Sequence, residues 1–207
     1  MQFTGSGKHF SFGASVAEHV REQAPRMLEQ FHGLFYRLID LAIPTMALVS
    51  GQCLGGGMEL ALMCNLLFAD KTAKLGQPEI MLGVFAPPAS VMLPLKIGQA
   101  RADDLLLTGR SITAEEAFAM GLATAVFDTP EAMHQGADQW FEHHLMPKSA
   151  SSLRFAVRAA RGNFNLILRD RLKELERLYV DELMATDDAN EGIASFLESR
   201  QPEWKHA

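Results

Sequence analysis

Cysteine is scarce in this chain: Cys53 and Cys64 are the only two among 207 residues, and each sits in an apolar stretch. That scarcity excludes a disulfide framework and points to a reducing compartment. Long apolar runs are missing as well, since none approaches the roughly 20 residues that a membrane-spanning helix requires. The first 15 residues mix Lys8 and His9 with glycines and lack the apolar centre of a signal peptide. A soluble cytoplasmic protein with no membrane partner is therefore the expectation. Positive charge is in deficit, with 19 Lys and Arg against 25 Asp and Glu and a formal net charge of −6. Such a balance gives no electrostatic footprint for nucleic acid. What the chain does have is apolar substance: 48% hydrophobic and 21% charged residues suffice for one sizeable core.

Short strands, loops and helices alternate along the chain, which predicts an α/β layer. Residues 16–42 carry apolar side chains at helical spacing (Met27, Leu28, Phe31, Leu34, Phe35, Leu38), and Pro44 marks the break. "TMALVS" reads as a short buried strand leading straight into the triple glycine, after which "MELALMCNLL" is rich in helix formers. "FAD" and "AKLG" read as strand pieces, and "QPEIMLGVFAPPAS" as a loop punctuated by Pro78, Gly83, Pro87 and Pro88. Beyond residue 101 the pattern is mostly helical. Thr113 and Glu116 form a capping box with Gly121 as the stop, "LATAVF" is strand-like, and Thr129 with Pro130 opens another helix. In the tail, "SSLRFAVRAAR" and a stretch near 166–184 are helical, the latter with one buried face of Leu172, Leu175, Leu178, Tyr179 and Leu183. No repeat or low-complexity linker is present. "MPKSAS" offers a boundary between a main unit, residues 1–146, and a helical region, residues 147–207.

The triple glycine at 55–57 lies between strand and helix, with Glu59 directly after it. Glycines expose backbone N–H groups, and at a helix N-terminus those donors are unpaired and favour negative charge. Taken alone the feature reads more readily as a tight turn. It is not a phosphate loop, because no Gly-Lys-Ser/Thr follows and GxGxxG spacing is absent. Its company raises it: Glu79 stands in "GQPEI", twenty residues on. Two carboxylates brought together can divide into acid and base, because repulsion and burial separate their pKa values. Sequence spacing does not say whether they meet.

"GKHFSFGAS", "IPTMALVSGQCLGGGMELALMCNLLFAD", "AKLGQPEIMLGVF", "LLLTGRSITAEEAFAMGLATAVF" and "DANEGIASFLESR" resemble, in that order, the enoyl-CoA hydratase (crotonase) superfamily over nearly the whole chain. The resemblance implies a spiral of strand, strand, helix turns with a helical C-terminal trimerisation region, in a homotrimer or dimer of trimers. It implies an acyl-CoA thioester as substrate, coenzyme A being part of it, and neither a metal nor a separate cofactor. By motif, the oxyanion donors are the N–H groups of Ala14 in "FGAS" and Gly56 in "GGG", and the paired catalytic carboxylates are Glu59 and Glu79. Having both carboxylates favours water addition or elimination. Within the hydratases the wording is most similar to the branch acting on alicyclic dienoyl-CoA thioesters. Ala86, Pro87 and Pro88 stand where the family loop after "GQPE" runs on with glycines, which should stiffen and reshape the acyl pocket in favour of a ring, with Phe85, Pro87 and Pro88 lining it.

Other departures are Ser15 and Asn65, where the family carries acids; both read as local structural substitutions. Strands and a helix that precede the "GSGKHF" loop in the family are missing, so the expectation is a fragment or an internal start, with an open sheet edge. A straight-chain hydratase or isomerase, and a non-catalytic acyl-CoA-binding fragment, are the alternatives. His143 and His144 end a helix and suit its terminal carbonyls better than a metal. Arg154, Arg158 and Arg161 read as a solvated helix face, with contact to a CoA phosphate as second reading. Lys8 and Lys74 have the same standing. The cysteines read as packing.

Overall fold

A computed structural model describes residues 1–206. Among these residues seven short strands fall in two sheets. The first is all parallel, in the order β1 (Gln2–Thr4), β2 (Met46–Val49), β4 (Leu66–Asp70), β7 (Ala125–Phe127). The second joins β3 (Gln52–Leu54), β5 (Lys74–Gly76) and β6 (Ser111–Thr113), with β3 and β5 parallel and β6 antiparallel to β5. The chain visits the sheets in turn: β2 then β3 then helix α2 (Gly56–Met63), and β4 then β5 then α3 (Pro87–Ile97) and α4 (Gln99–Thr108). Next come β6 and α5 (Ala114–Ala119), then β7 and α6 (Pro130–His144). Even the N-terminal segment obeys the pattern. It leaves β1, makes a single parallel bridge from Ser11 to Cys53 at the edge of the second sheet, and enters α1 (Ala24–Leu41). This is the strand, strand, helix spiral that the sequence motifs imply.

Burial explains the strands. Every residue of β2 is buried, as a parallel strand covered on both faces must be. Two of its side chains, Ala47 and Val49, face the cluster of Met58, Leu62, Leu75 and Met92, while Met46 and Leu48 face Phe68 and Met133. Asp70, at the end of β4, is also fully buried and accepts from the Thr72 backbone N–H at 2.7 Å and from the Ser50 and Thr72 hydroxyls.

Helix ends follow local chemistry where the sequence marks it. Thr113 and Glu116 make both bonds of the capping box, at 3.2 and 2.9 Å, and Thr129 caps α6 by accepting from Ala132 N–H. Three expectations need correction. β3 intervenes between the "TMALVS" strand and the glycines. Pro87 and Pro88 do not lie in a loop but form the first turn of α3, where proline's fixed φ and missing N–H cost nothing. The tail pieces are one helix, α7 (Ala150–Arg177), capped by Ser149 and continued by a π-helical turn, Leu178–Glu182. Helix α7 shares the main core through Leu168 and Leu172, and Tyr179 and Met184 join a second cluster with Leu28 and Ile193 of α8 (Asp187–Leu197).

No helix among the described residues is long and apolar enough to cross a membrane.

Candidate active site

Two loop-to-helix junctions meet at the mouth of a cavity. In the first, Gly13 takes φ +92° and its N–H donates to Ser11 Oγ at 3.1 Å, presenting Ala14 at the turn. In the second, Gly55 takes φ +52° and ψ −128°, and α2 starts at Gly56. The junctions touch: a Cβ on Gly13 would sit 3.0 Å from Gly56 N and from Leu54 O. The first N–H groups of α2 have no partner within the helix, so this corner concentrates backbone donors.

The three glycines serve three different neighbours. A Cβ on Gly55 would stand 2.6 Å from Glu79 Oε1, one on Gly56 would reach Phe31 Cζ at 3.0 Å, and one on Gly57 would press on Ser11 Cβ at 2.6 Å. Only Gly55 has the left-handed φ that favours glycine outright. The triple glycine is thus a packing device as much as an exposed row of amides, and its first member makes room for a carboxylate.

That carboxylate and Glu59 line the same cavity, of about 90 Å³, together with Ala14 and Gly56. Phe85, Pro87 and Pro88 complete one side of it. The two carboxylates, the two backbone donors and the three wall residues expected from the sequence therefore border one cavity. Glu59 is 4% exposed, and its Oε1 accepts from Ala89 N–H at 2.9 Å, a donor supplied by the first turn of α3. Glu79 sits in the 3₁₀ turn Pro78–Leu82. Gln77, with its amide turned to satisfy both ends, donates to both Glu79 oxygens at 3.2 and 3.0 Å. The sequence reading missed Gln77 and the Ala89 amide; the only signal for Gln77 was its place within "GQPE".

Electrostatics separates the two acids from ordinary carboxylates. Burial first, then the charge of Glu79, pushes Glu59 well above the usual range, against the pull of the Ala89 N–H. Burial pushes Glu79 up to about 7. Around neutral pH the pair can thus hold one proton between two sites, which is the state that acid and base catalysis by one pair requires. A stability consequence has a definite sign. Between the ordinary value of 4.5 and about 7 the folded chain binds more protons at Glu79 than the unfolded chain, so stability should fall as pH rises through that window. Urea midpoints taken across it should decline in the wild type, and Glu79→Gln should flatten the decline.

The remaining candidates lie elsewhere. Lys8 borders a separate surface recess with His9 and His134, and Lys74 is exposed on β5. Arg154 and Arg158 are exposed, but Arg161 departs from the expected solvated face: its guanidinium turns inward, 4.4 Å over the Phe164 ring. His143 caps its own helix through Gln139 O at 3.1 Å, and no three His, Cys, Asp or Glu side chains among the described residues converge as a metal site needs. Both cysteines are free and buried, and burial raises their thiols, Cys64 to about 11. Asn65 accepts from the Thr45 N–H and hydroxyl at 2.8 and 2.9 Å, a structural role. Two polar side chains border the cavity that the sequence did not assign to a site: Tyr179 was counted only within a helical face, and His32 was not singled out.

Comparison with known proteins agrees with this geometry. The profile of the enoyl-CoA hydratase/isomerase family matches residues 3–207. Cyclohexa-1,5-dienecarbonyl-CoA hydratase of Thauera aromatica is 50% identical over 200 residues, which are 97% of this chain and 76% of that protein. Among solved structures, an enoyl-CoA hydratase from Mycobacterium avium subsp. paratuberculosis superposes with a TM-score of 0.84 at 23% identity, covering 99% of this chain and 79% of the other. An enoyl-CoA hydratase/isomerase from Pseudoalteromonas atlantica does so with a TM-score of 0.81 at 27% identity, covering 98% and 80%. With its spiral, its glycine junctions and its two raised carboxylates, the chain belongs to the enoyl-CoA hydratase/isomerase family and is a hydro-lyase of the enoyl-CoA hydratase type.

Proposed function

We propose that the protein adds water to cyclohexa-1,5-diene-1-carbonyl-CoA and yields 6-hydroxycyclohex-1-ene-1-carbonyl-CoA. The observation that carries this reading is the cavity itself, where Glu59 and Glu79 stand beside the Ala14 and Gly56 junctions. The ring-specific part is supported by the 50% identity to the Thauera aromatica hydratase. It is supported further by the wall of Phe85, Pro87 and Pro88, the prolines being locked into the first turn of α3 rather than free in a loop.

The chemistry proceeds without a separate cofactor. The Ala14 and Gly56 N–H groups hold the thioester oxygen and stabilise the negative charge that develops on it; one such donor contributes about 2.7–4 kcal/mol to a transition state. One glutamate removes a proton from water as the water oxygen bonds to the β carbon. The electron pair of that double bond moves into the thioester as an extended dienolate. It returns through the second double bond, whose far carbon takes a proton from the other glutamate. One hydroxyl and one hydrogen are thereby added across the diene, and the remaining double bond lies between the original two. The coupled pair exchanges its protonation states in the act, and a proton must pass back before the next turnover.

The test is a direct comparison of substrates. Incubated with the cyclic dienoyl-CoA, the protein should form a product heavier by one water, with kcat/KM well above that for crotonyl-CoA. A strong preference for crotonyl-CoA would replace the ring reading with a straight-chain one. Binding of both without turnover would make the protein an acyl-CoA binder.

A further inference from the structure

The cavity holds two polar groups that the carboxylate pair leaves idle. His32, on α1, is fully buried, and Tyr179, in the π-helical turn after α7, is 1% exposed. Both line the cavity beside Glu59 and Glu79. His32 Nδ1 lies 2.5 Å from Glu176 Oε1. Burial holds the imidazole below its ordinary pKa, against the pull of Glu176. A neutral ring bonded to a carboxylate through Nδ1 must donate there, which leaves Nε2 as a bare acceptor. No protein group partners Nε2.

Tyr179 is the complement. Its phenol oxygen is also buried without a protein partner. Burial, then the charges of Glu79 and Glu59, keep it protonated, so it offers a donor. Its ring is fixed edge-on against Phe85, with centroids 5.4 Å apart, and Phe85 is itself part of the acyl wall. Glu176, which sets the imidazole, precedes Tyr179 by three residues, so the orienting carboxylate and the phenol come from one turn of the same helix.

One buried acceptor and one buried donor, both unpaired, call for a ligand group that is acceptor and donor at once. A carboxylate does not qualify, because it would meet a bare nitrogen and two acids. A hydroxyl qualifies. We propose that His32 and Tyr179 form a hydroxyl-binding subsite of the acyl cavity: the phenol donates to the oxygen that water leaves on the acyl group, and that hydroxyl donates to His32 Nε2. The ligand class is a hydroxyacyl thioester, Glu176 is a positioning residue, and the inference rests on the hydratase reading of the same cavity. It explains why two residues that border the cavity beside Met27, Leu28 and Phe31 each carry an orphaned polar atom.

The test is a ratio of affinities, measured by calorimetric titration in a Glu59→Gln background, where turnover is slowed by about 10²–10⁴-fold. The ligands are 6-hydroxycyclohex-1-ene-1-carbonyl-CoA and its counterpart without the hydroxyl, cyclohex-1-ene-1-carbonyl-CoA, with 3-hydroxybutyryl-CoA and butyryl-CoA as a straight-chain pair. Tyr179→Phe removes one oxygen, and His32→Asn keeps an amide nitrogen facing Glu176 while deleting Nε2. Each should weaken the hydroxylated ligand by about twofold to tenfold, the range of one neutral hydrogen bond, and leave the other ligand unchanged. Equal loss for both ligands, or no loss for either, overturns the subsite. If His32→Asn fails to fold, Tyr179→Phe decides alone. If only the straight-chain pair binds, the ring reading falls and the ratio on that pair judges the subsite; if neither pair binds, both readings fall.

Discussion

Glu59→Gln should lower the rate of water addition by about 10²–10⁴-fold, the usual contribution of a positioned acid or base, while acyl-CoA binding persists. The substitution isolates proton transfer from everything else the side chain does. Glu59 is buried and accepts from Ala89 N–H at 2.9 Å, and a glutamine carbonyl can accept the same bond. Its volume is matched, so α2 and α3 keep their contact. A buried acid whose proton is held by desolvation is also a cost to the fold once it ionises, and the amide removes that cost. The variant should therefore be at least as stable as the wild type at alkaline pH. Steady-state hydration kinetics set beside a binding titration make the check: a drop in kcat at nearly constant affinity is expected. Activity within a few-fold of wild type would remove Glu59 from the chemistry.

What made the site legible in the sequence was vocabulary rather than geometry. Thr113, Thr129 and Pro130 could be placed because capping is local chemistry, decided within four residues. The buried strand at 46–49 could be placed because a parallel strand covered on both faces is a plain apolar run. β3 could not, since three residues give no period to count. α3 was hidden by the two prolines of its first turn, Pro87 and Pro88, which read as loop punctuation when counted without position. The convergence of Glu59 and Glu79 was legible only through family motifs, because a separation of twenty residues is silent about space. Tyr179 was concealed by its own good periodicity, and His32, not singled out in the sequence, by the apolar residues around it. Each falls on the buried stripe of its helix, where a polar residue counts as one more inward position until its unpaired atom is seen. Arg161 shows the opposite error, a charged residue at surface-like spacing that folds inward onto an aromatic ring.

Gly55→Ala should cost more activity than stability, and the reason lies in which neighbour has to yield. Gly55 combines φ +52° with ψ −128°, a conformation closed to residues with a Cβ. Holding alanine there should cost about 1–3 kcal/mol, read as a lower urea midpoint. The new methyl would also begin 2.6 Å from Glu79 Oε1. Backbone could not retreat, because Gly55 N–H donates to Gly76 O at 3.0 Å and Gly55 O accepts from Glu59 N–H at 3.0 Å. Glu79 is a flexible side chain, so it gives way, and in doing so leaves its bonds to Gln77. Displacement by about 1 Å from a productive geometry can reduce the rate by about 10²-fold, and a loss of that order in kcat is expected here. Gly33→Ala is the control: a Cβ there meets nothing within 4 Å, φ is ordinary, and activity should not change. A Gly55→Ala protein that is less stable yet fully active would mean that Glu79 can leave its place without consequence, and the pairing of two carboxylates would no longer account for the reaction.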